Sequence, residues 1–270
     1  MRATALLAAL AALAACAEPT SNRNQVRVVT FGDSNIDVGY LGDSLVVTSY
    51  IDPLPMHERA DEPNSPLTLA GKLEVLGAGL VVRAVNHGLG LSTSDTGDFG
   101  PPSHQANARQ SINGVTRFEA EVLGVGAPSW AADSPAVARV QAFRPGPDDY
   151  AVVGIGGNDV AHNLSIARTA ANWRWMVARW AAAGLAPSHL LLVTLTPRIG
   201  VPAGTVPDRN DSLRAIAAEA GATVIDLCAY VSDDAGESWR SDSLNVGDGV
   251  HYSDGVRTWL ARRVLATINP

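Results

Sequence analysis

Apolar residues in this chain fall into short β-branched runs, separated by stretches in which they recur every three to four positions. Five runs read as strands: Val26–Phe31, Leu80–Val85, Tyr150–Ile155, His189–Leu195 and Ala222–Leu227. The intervening pattern predicts helices over Pro66–Leu76, Val115–Leu123, Val160–Ala183, Asp211–Ala220 and Asp254–Ile268. Strands without polar alternation are buried on both faces, which implies a parallel sheet. Alternation with helices adds βαβ crossovers and a helical layer on each side, giving a three-layer α/β/α domain. Ligands of such sheets bind beyond the carboxyl ends of the strands. Segments 39–64 and 92–114 are rich in Gly, Pro, Asp, Ser and Asn and show little periodicity. Both follow strand ends, so they are expected to rim a site. Trp173, Trp175 and Trp180 lie on the long helical pattern and are expected in the core.

The front of the chain follows another pattern. Met1-Arg2 is followed, after Ala3 to Ala5, by Leu6 to Ala15, made wholly of Ala and Leu. A bilayer-spanning helix needs roughly 20 apolar residues, so this run reads as the apolar region of a secretory signal. Leu13-Ala14-Ala15-Cys16 resembles the bacterial lipoprotein signal, in which cleavage leaves the cysteine first and lipidated. The expected organisation is a signal over residues 1–15, a polar tether over 16–25 and one domain over 26–270. It implies a chain secreted across the inner membrane and held in the cell envelope, with its only membrane contact through lipid on Cys16. With Cys16 acylated, Cys228 has no partner for an intrachain disulfide. The net charge of −7, with Lys72 the only lysine, excludes a basic nucleic-acid footprint. No cysteine/histidine spacing suggests a metal site, and no cofactor is implied.

Three motifs carry candidate chemistry. Phe31-Gly32-Asp33-Ser34-Asn35 ends the first strand in a turn with a serine at its tip. Gly156-Gly157-Asn158-Asp159 follows the third strand, and Asp248-Gly249-Val250-His251 precedes the last helix. A nucleophile, an amide donor and an Asp-x-x-His pair, all near strand ends or in loops, are the parts needed for acyl-ester hydrolysis. A serine hydroxyl needs a base, and His251 is the candidate, because an imidazole is the usual general base near neutral pH. Asp248 would hold its tautomer. The other histidines (His57, His87, His104, His162, His189) lack an Asp at that offset with a helix following. His162 is expected as a packing or surface residue close to the pocket. Gly42-Asp43-Ser44-Leu45 offers a second serine, but no buried strand precedes it, so Ser44 is expected in a loop.

In order and position, these motifs resemble those of the SGNH hydrolase superfamily, the GDSL esterases and lipases. The resemblance covers most of the chain after Cys16. It implies a flavodoxin-like five-stranded sheet in the order 2-1-3-4-5, with Ser34, Asp248 and His251 catalytic. It also implies an oxyanion hole made by the Ser34 backbone N–H, the Asn158 side chain and one N–H from a second block. That block reads Asn86-His87-Gly88-Leu89-Gly90-Leu91-Ser92-Thr93, leaving the donor open between Gly90 and Leu91. Asn35 stands where the family usually has Leu or Ile, a departure that need not affect the serine. The expected substrate is a small-molecule or glycan acyl ester. Alternatives are an acyltransferase that uses the same residues on glycan hydroxyls, and a non-catalytic envelope lipoprotein that binds glycans.

Overall fold

The computed structural model describes residues 25–37, 39–41, 44–47, 64–88, 93–95, 118–124 and 143–269. Its main sheet contains β1 (Val26–Gly32), β4 (Val81–Gly88), β5 (Tyr150–Gly154), β6 (Leu190–Val193) and β7 (Thr223–Ile225). The order is β4-β1-β5-β6-β7, and every neighbouring pair is parallel. Counting these five alone, the order is the 2-1-3-4-5 of flavodoxin-like folds. β2 (Gly39–Leu41) and β3 (Ser44–Val47) form a separate antiparallel ribbon.

Successive residues along a strand face opposite sides, and here both sides are dry. Val29, Phe31, Ala151, Val153, Leu190 and Leu192 enter one core cluster. Val28, Val152, Leu191 and Val193 enter the other. This double burial is why the strands read as unbroken apolar runs. The first layer is closed by α4 (Ile166–Ala182) and α5 (Thr205–Ala220), which supply Trp173, Met176, Trp180, Leu213 and Ile216. The second is closed by α2 (Leu69–Leu76) and α7 (Asp254–Ile268), through Leu69, Leu73, Val256, Leu260 and Val264. Trp173 and Trp180 are buried, as expected from the sequence, and Trp175 is partly buried against the same cluster, edge-on to Phe118. Among the described residues no helix is long and apolar enough to cross a membrane.

Several expectations need correction. The helix expected over Val160–Ala183 is two helices, α3 (Gly157–Ala161) and α4. The break comes where Asn163 adopts φ 55° and Ser165 caps α4 by accepting from Arg168 N at 3.2 Å. α5 begins at Thr205, ahead of the expected Asp211, because Pro207 sits in its first turn, where no intrahelical N–H is required. Of the Val115–Leu123 pattern, Phe118–Leu123 is a π-helical turn, and residues 115–117 lie outside the described residues. A short helix, α6 (Leu227–Val231), follows β7 unforeseen. Ser44 opens a strand of the small ribbon and is not a loop residue. Segments 39–64 and 92–114 lie largely outside the described residues.

Phe31 is fully buried, with its ring edge-on to Phe118 at 5.6 Å. Phe31→Ala should cost about 3–5 kcal/mol of stability, measured by urea unfolding. A loss below about 1 kcal/mol would mean that the helical layer closes over the vacated space.

Candidate active site

The sheet order reverses direction between β1 and β5, so their carboxyl ends open a crevice. Ser34 begins α1 (Ser34–Asp37) just past β1, and Asn158 lies in the first turn of α3 just past β5. Asp33 joins the two turns. Its Oδ1 accepts from Asn35 N at 3.1 Å and its Oδ2 from Gly157 N at 3.2 Å. Burial pushes the Asp33 pKa up, while the Asn35 and Gly157 N–H groups, Arg198 and His251 oppose that rise. Gly156 caps α3 at φ 126°, and a Cβ there would lie 2.7 Å from the Trp173 ring. Glycine is therefore required to turn the chain into Asn158.

His251 arrives from the other end of the chain. Its Nε2 lies 2.8 Å from Ser34 Oγ, and its Nδ1 lies 2.6 Å from Asp248 Oδ2. An ionised carboxylate only accepts, so Nδ1 carries the hydrogen, and Nε2 is left to accept from the Ser34 hydroxyl. Asp248 Oδ1 accepts from Val250 N and His251 N, both at 2.8 Å, which closes the three-residue spacing into a tight turn. Burial works to raise the Asp248 pKa. The hydrogen bonds from the His251 ring and the two backbone N–H groups, with the His251 charge, outweigh it and hold the carboxyl below its ordinary value.

The turn is held from outside as well. Gly249 O accepts from Ile199 N at 3.2 Å and from Trp239 Nε1 at 3.3 Å. Gly249 has φ 68°, and a Cβ there would fall 2.7 Å from the Ile199 side chain. Val246 N donates to His251 O at 3.0 Å, so His251 sits near the end of a closed loop.

The structure thus brings Ser34, Asp248 and His251 into one hydrogen-bonded row and ties the Asn158 turn to the serine turn. Gly90, Leu91 and Cys16 lie outside the described residues. The segment just after the second block is anchored: Asp159, fully buried, accepts from Ser94 N at 2.7 Å, from Ser94 Oγ and from Thr169 Oγ1 at 2.9 Å. His162 is half-buried at the end of α3. Its pKa is lowered by burial and by Arg198, against the pull of Asp159. Ser253 occupies the N-cap position of α7 but makes no capping bond with its side chain.

Two residues escape the sequence motifs. Arg198, past the end of β6, donates from Nη1 to Gly157 O at 3.1 Å, and burial lowers its pKa against the attraction of Asp33 and Asp248. Its one sequence cue is its place beyond a strand end. Trp239 has no cue at all, since its role depends on a bond to Gly249.

A parallel α/β sheet with this row at its carboxyl edge defines a serine hydrolase. The profile of the GDSL-like Lipase/Acylhydrolase family matches residues 30–255; the chain belongs to that family and is an ester-hydrolysing enzyme. The fold is shared with solved structures of low identity. A lipase/acylhydrolase from Enterococcus faecalis is 18% identical, with TM-score 0.56, covering 89% of this chain and 94% of its own. An acetyl xylan esterase variant from Geobacillus stearothermophilus is 18% identical, with TM-score 0.55 and coverage of 90% and 94%. A carbohydrate acetylesterase from Sinorhizobium meliloti is 15% identical, with TM-score 0.53 and coverage of 89% and 97%. A comparison with curated protein sequences finds no match.

A carboxyl whose pKa is depressed by folding stabilises the fold above its unfolded-state pKa, and that contribution is lost as pH falls through the folded-state value. Asp248→Asn should therefore be less stable than wild type at neutral pH, with a gap that closes on acidification. Urea unfolding across the acidic range measures it. A pH-independent gap would mean that the charge of Asp248 contributes nothing to stability.

Proposed function

We propose that the enzyme hydrolyses a short-chain carboxylic ester through an acyl-enzyme on Ser34. The observation that carries this reading is the Ser34 Oγ–His251 Nε2–Asp248 row, at 2.8 and 2.6 Å. Ser34 Oγ attacks the ester carbonyl carbon while its proton passes to His251 Nε2. The imidazolium is stabilised by Asp248. Charge on the carbonyl oxygen is met by the Ser34 N–H, the Asn158 side chain and the N–H of Gly90 or Leu91. As the carbon–alkoxide bond breaks, His251 returns the proton to the leaving oxygen. Water then attacks the acyl group, giving its proton to His251, and Ser34 Oγ leaves with that proton.

Because His251 protonates the departing alcohol, the alcohol part of the substrate must lie along the histidine loop. A groove of about 560 Å³ borders that loop at Gly247 and Gly249, on the side of Ile199 and Trp239, and is lined also by Arg198, Asp242 and Asn245. Its size suits a bulky alcohol, and an indole among polar groups suits a sugar. Two structures that share the fold are named as esterases of acetylated carbohydrate. These points support an acetylated glycan as substrate, with no metal or cofactor in the steps. The lipoprotein-like Leu13-Ala14-Ala15-Cys16 supports a lipid anchor on Cys16 and residence in the bacterial envelope.

Ser34→Ala should abolish hydrolysis of an aryl acetate and labelling by a fluorophosphonate, while Ser44→Ala keeps most of both. Asn158→Ala should lower kcat by roughly a hundred- to a thousand-fold with little change in KM. An active Ser34→Ala enzyme would overturn the assignment.

Expressed in a bacterium that processes lipoproteins, the wild-type chain should partition with membranes. Cys16→Ser should appear in the soluble fraction with full activity, since a polar stretch of sequence, Ala17 to Gln25, separates Cys16 from β1. Wild-type protein found wholly in the soluble fraction, with another N-terminus, would remove the anchor.

A further inference from the structure

Asn35, the residue that departs from the family pattern beside the serine, makes two contacts across almost the whole chain. Its Oδ1 accepts from Tyr252 N at 3.2 Å, and its Nδ2 donates to Val250 O at 3.4 Å. These groups belong to the two peptide units on either side of the His251 Cα. One amide side chain therefore grips the backbone before and after the imidazole. We propose that Asn35 is a positioning residue for His251, setting the register of the ring against Ser34. This inference rests on the proposed roles of Ser34 and His251.

The chemistry of the side chain is specific to the task. Straddling a residue in this way needs a donor and an acceptor in one plane, as a carboxamide provides. Leucine or isoleucine provides neither, and aspartate has no hydrogen for Val250 O. The geometry also separates register from folding. Asp248 binds the turn from within, Val246 closes its base, and Ile199 and Trp239 hold Gly249 from the far side. Those bonds keep the loop folded but do not refer it to the nucleophile. Asn35 does, because it is covalently next to Ser34 and its own N–H is fixed by Asp33. Loss of its side chain should leave the loop formed while freeing the Ser34–His251 distance. A displacement of about 1 Å at reacting groups is enough for a hundred-fold loss of rate.

The test compares wild type, Asn35→Leu and Asn35→Asp on p-nitrophenyl acetate, with fluorophosphonate labelling rate and thermal midpoint as companion measurements. Asn35→Leu should lower kcat by about ten- to a hundred-fold and slow labelling in parallel, with KM within about two-fold and the fold retained. Asn35→Asp keeps the acceptor for Tyr252 N and should fall between Asn35→Leu and wild type. In an Asp248→Asn background, Asn35→Leu should cost less than about three-fold more, because both changes act on the same ring. Wild-type kcat in folded Asn35→Leu, or its full cost repeated in the Asp248→Asn background, would overturn the proposal. If Asn35→Leu fails to fold, wild-type kcat in Asn35→Asp overturns it instead. Failure of the wild-type enzyme itself to label at Ser34 would overturn the esterase mechanism, and the role of Asn35 with it.

Discussion

A buried carboxylate holds the site together. Asp33 has almost no contact with solvent, and its two oxygens accept from backbone N–H groups of two different turns. A buried acid without partners costs several kcal/mol, so both turns must be in place before Asp33 is satisfied. One turn carries Ser34 and Asn35, and the other carries Asn158. Arg198 reinforces the junction, bonded to Gly157 O and attracted to Asp33. The crevice between β1 and β5 is a property of the sheet order, and Asp33 fixes the two lips of that crevice to each other.

The third lip is the loop of Asp248 and His251, which belongs to neither strand. It is held by hydrogen bonds to carbonyl and amide groups more than by burial of its side chains. Gly249 is half of that device, since its open flank allows Ile199 to lie directly on the backbone. Asn35 is the other half, reaching the same loop from the serine turn. The site is thus a set of short loops joined by directional bonds, mounted on a sheet that is apolar on both faces.

Most of the fold and the central row were legible in the sequence, for physical reasons. Double burial writes each strand as an apolar run, and Ser34, Asn158, Asp248 and His251 sit in short motifs whose spacing survives folding. The break between α3 and α4 was harder to see, because the buried Leu164 continues the apolar pattern across it. Ser165, a capping residue, was the available signal. The roles of Asn35, Arg198 and Trp239 were not legible, because each depends on a partner far away in the chain. Local pattern says what a residue is made of; only the assembled loops say what it meets. Ser44 shows the converse: it and Leu45 end a Gly-Asp-Ser-Leu sequence, yet they lie in a ribbon separate from the main sheet.

The Ser34–His251 contact spans 217 positions. Its second half lies after all five strands of the main sheet and after every described helix except α7. A chain cut before Asp248 would carry every strand of the main sheet, yet it would lack both His251, the partner of Ser34, and α7, which closes one of the two core layers.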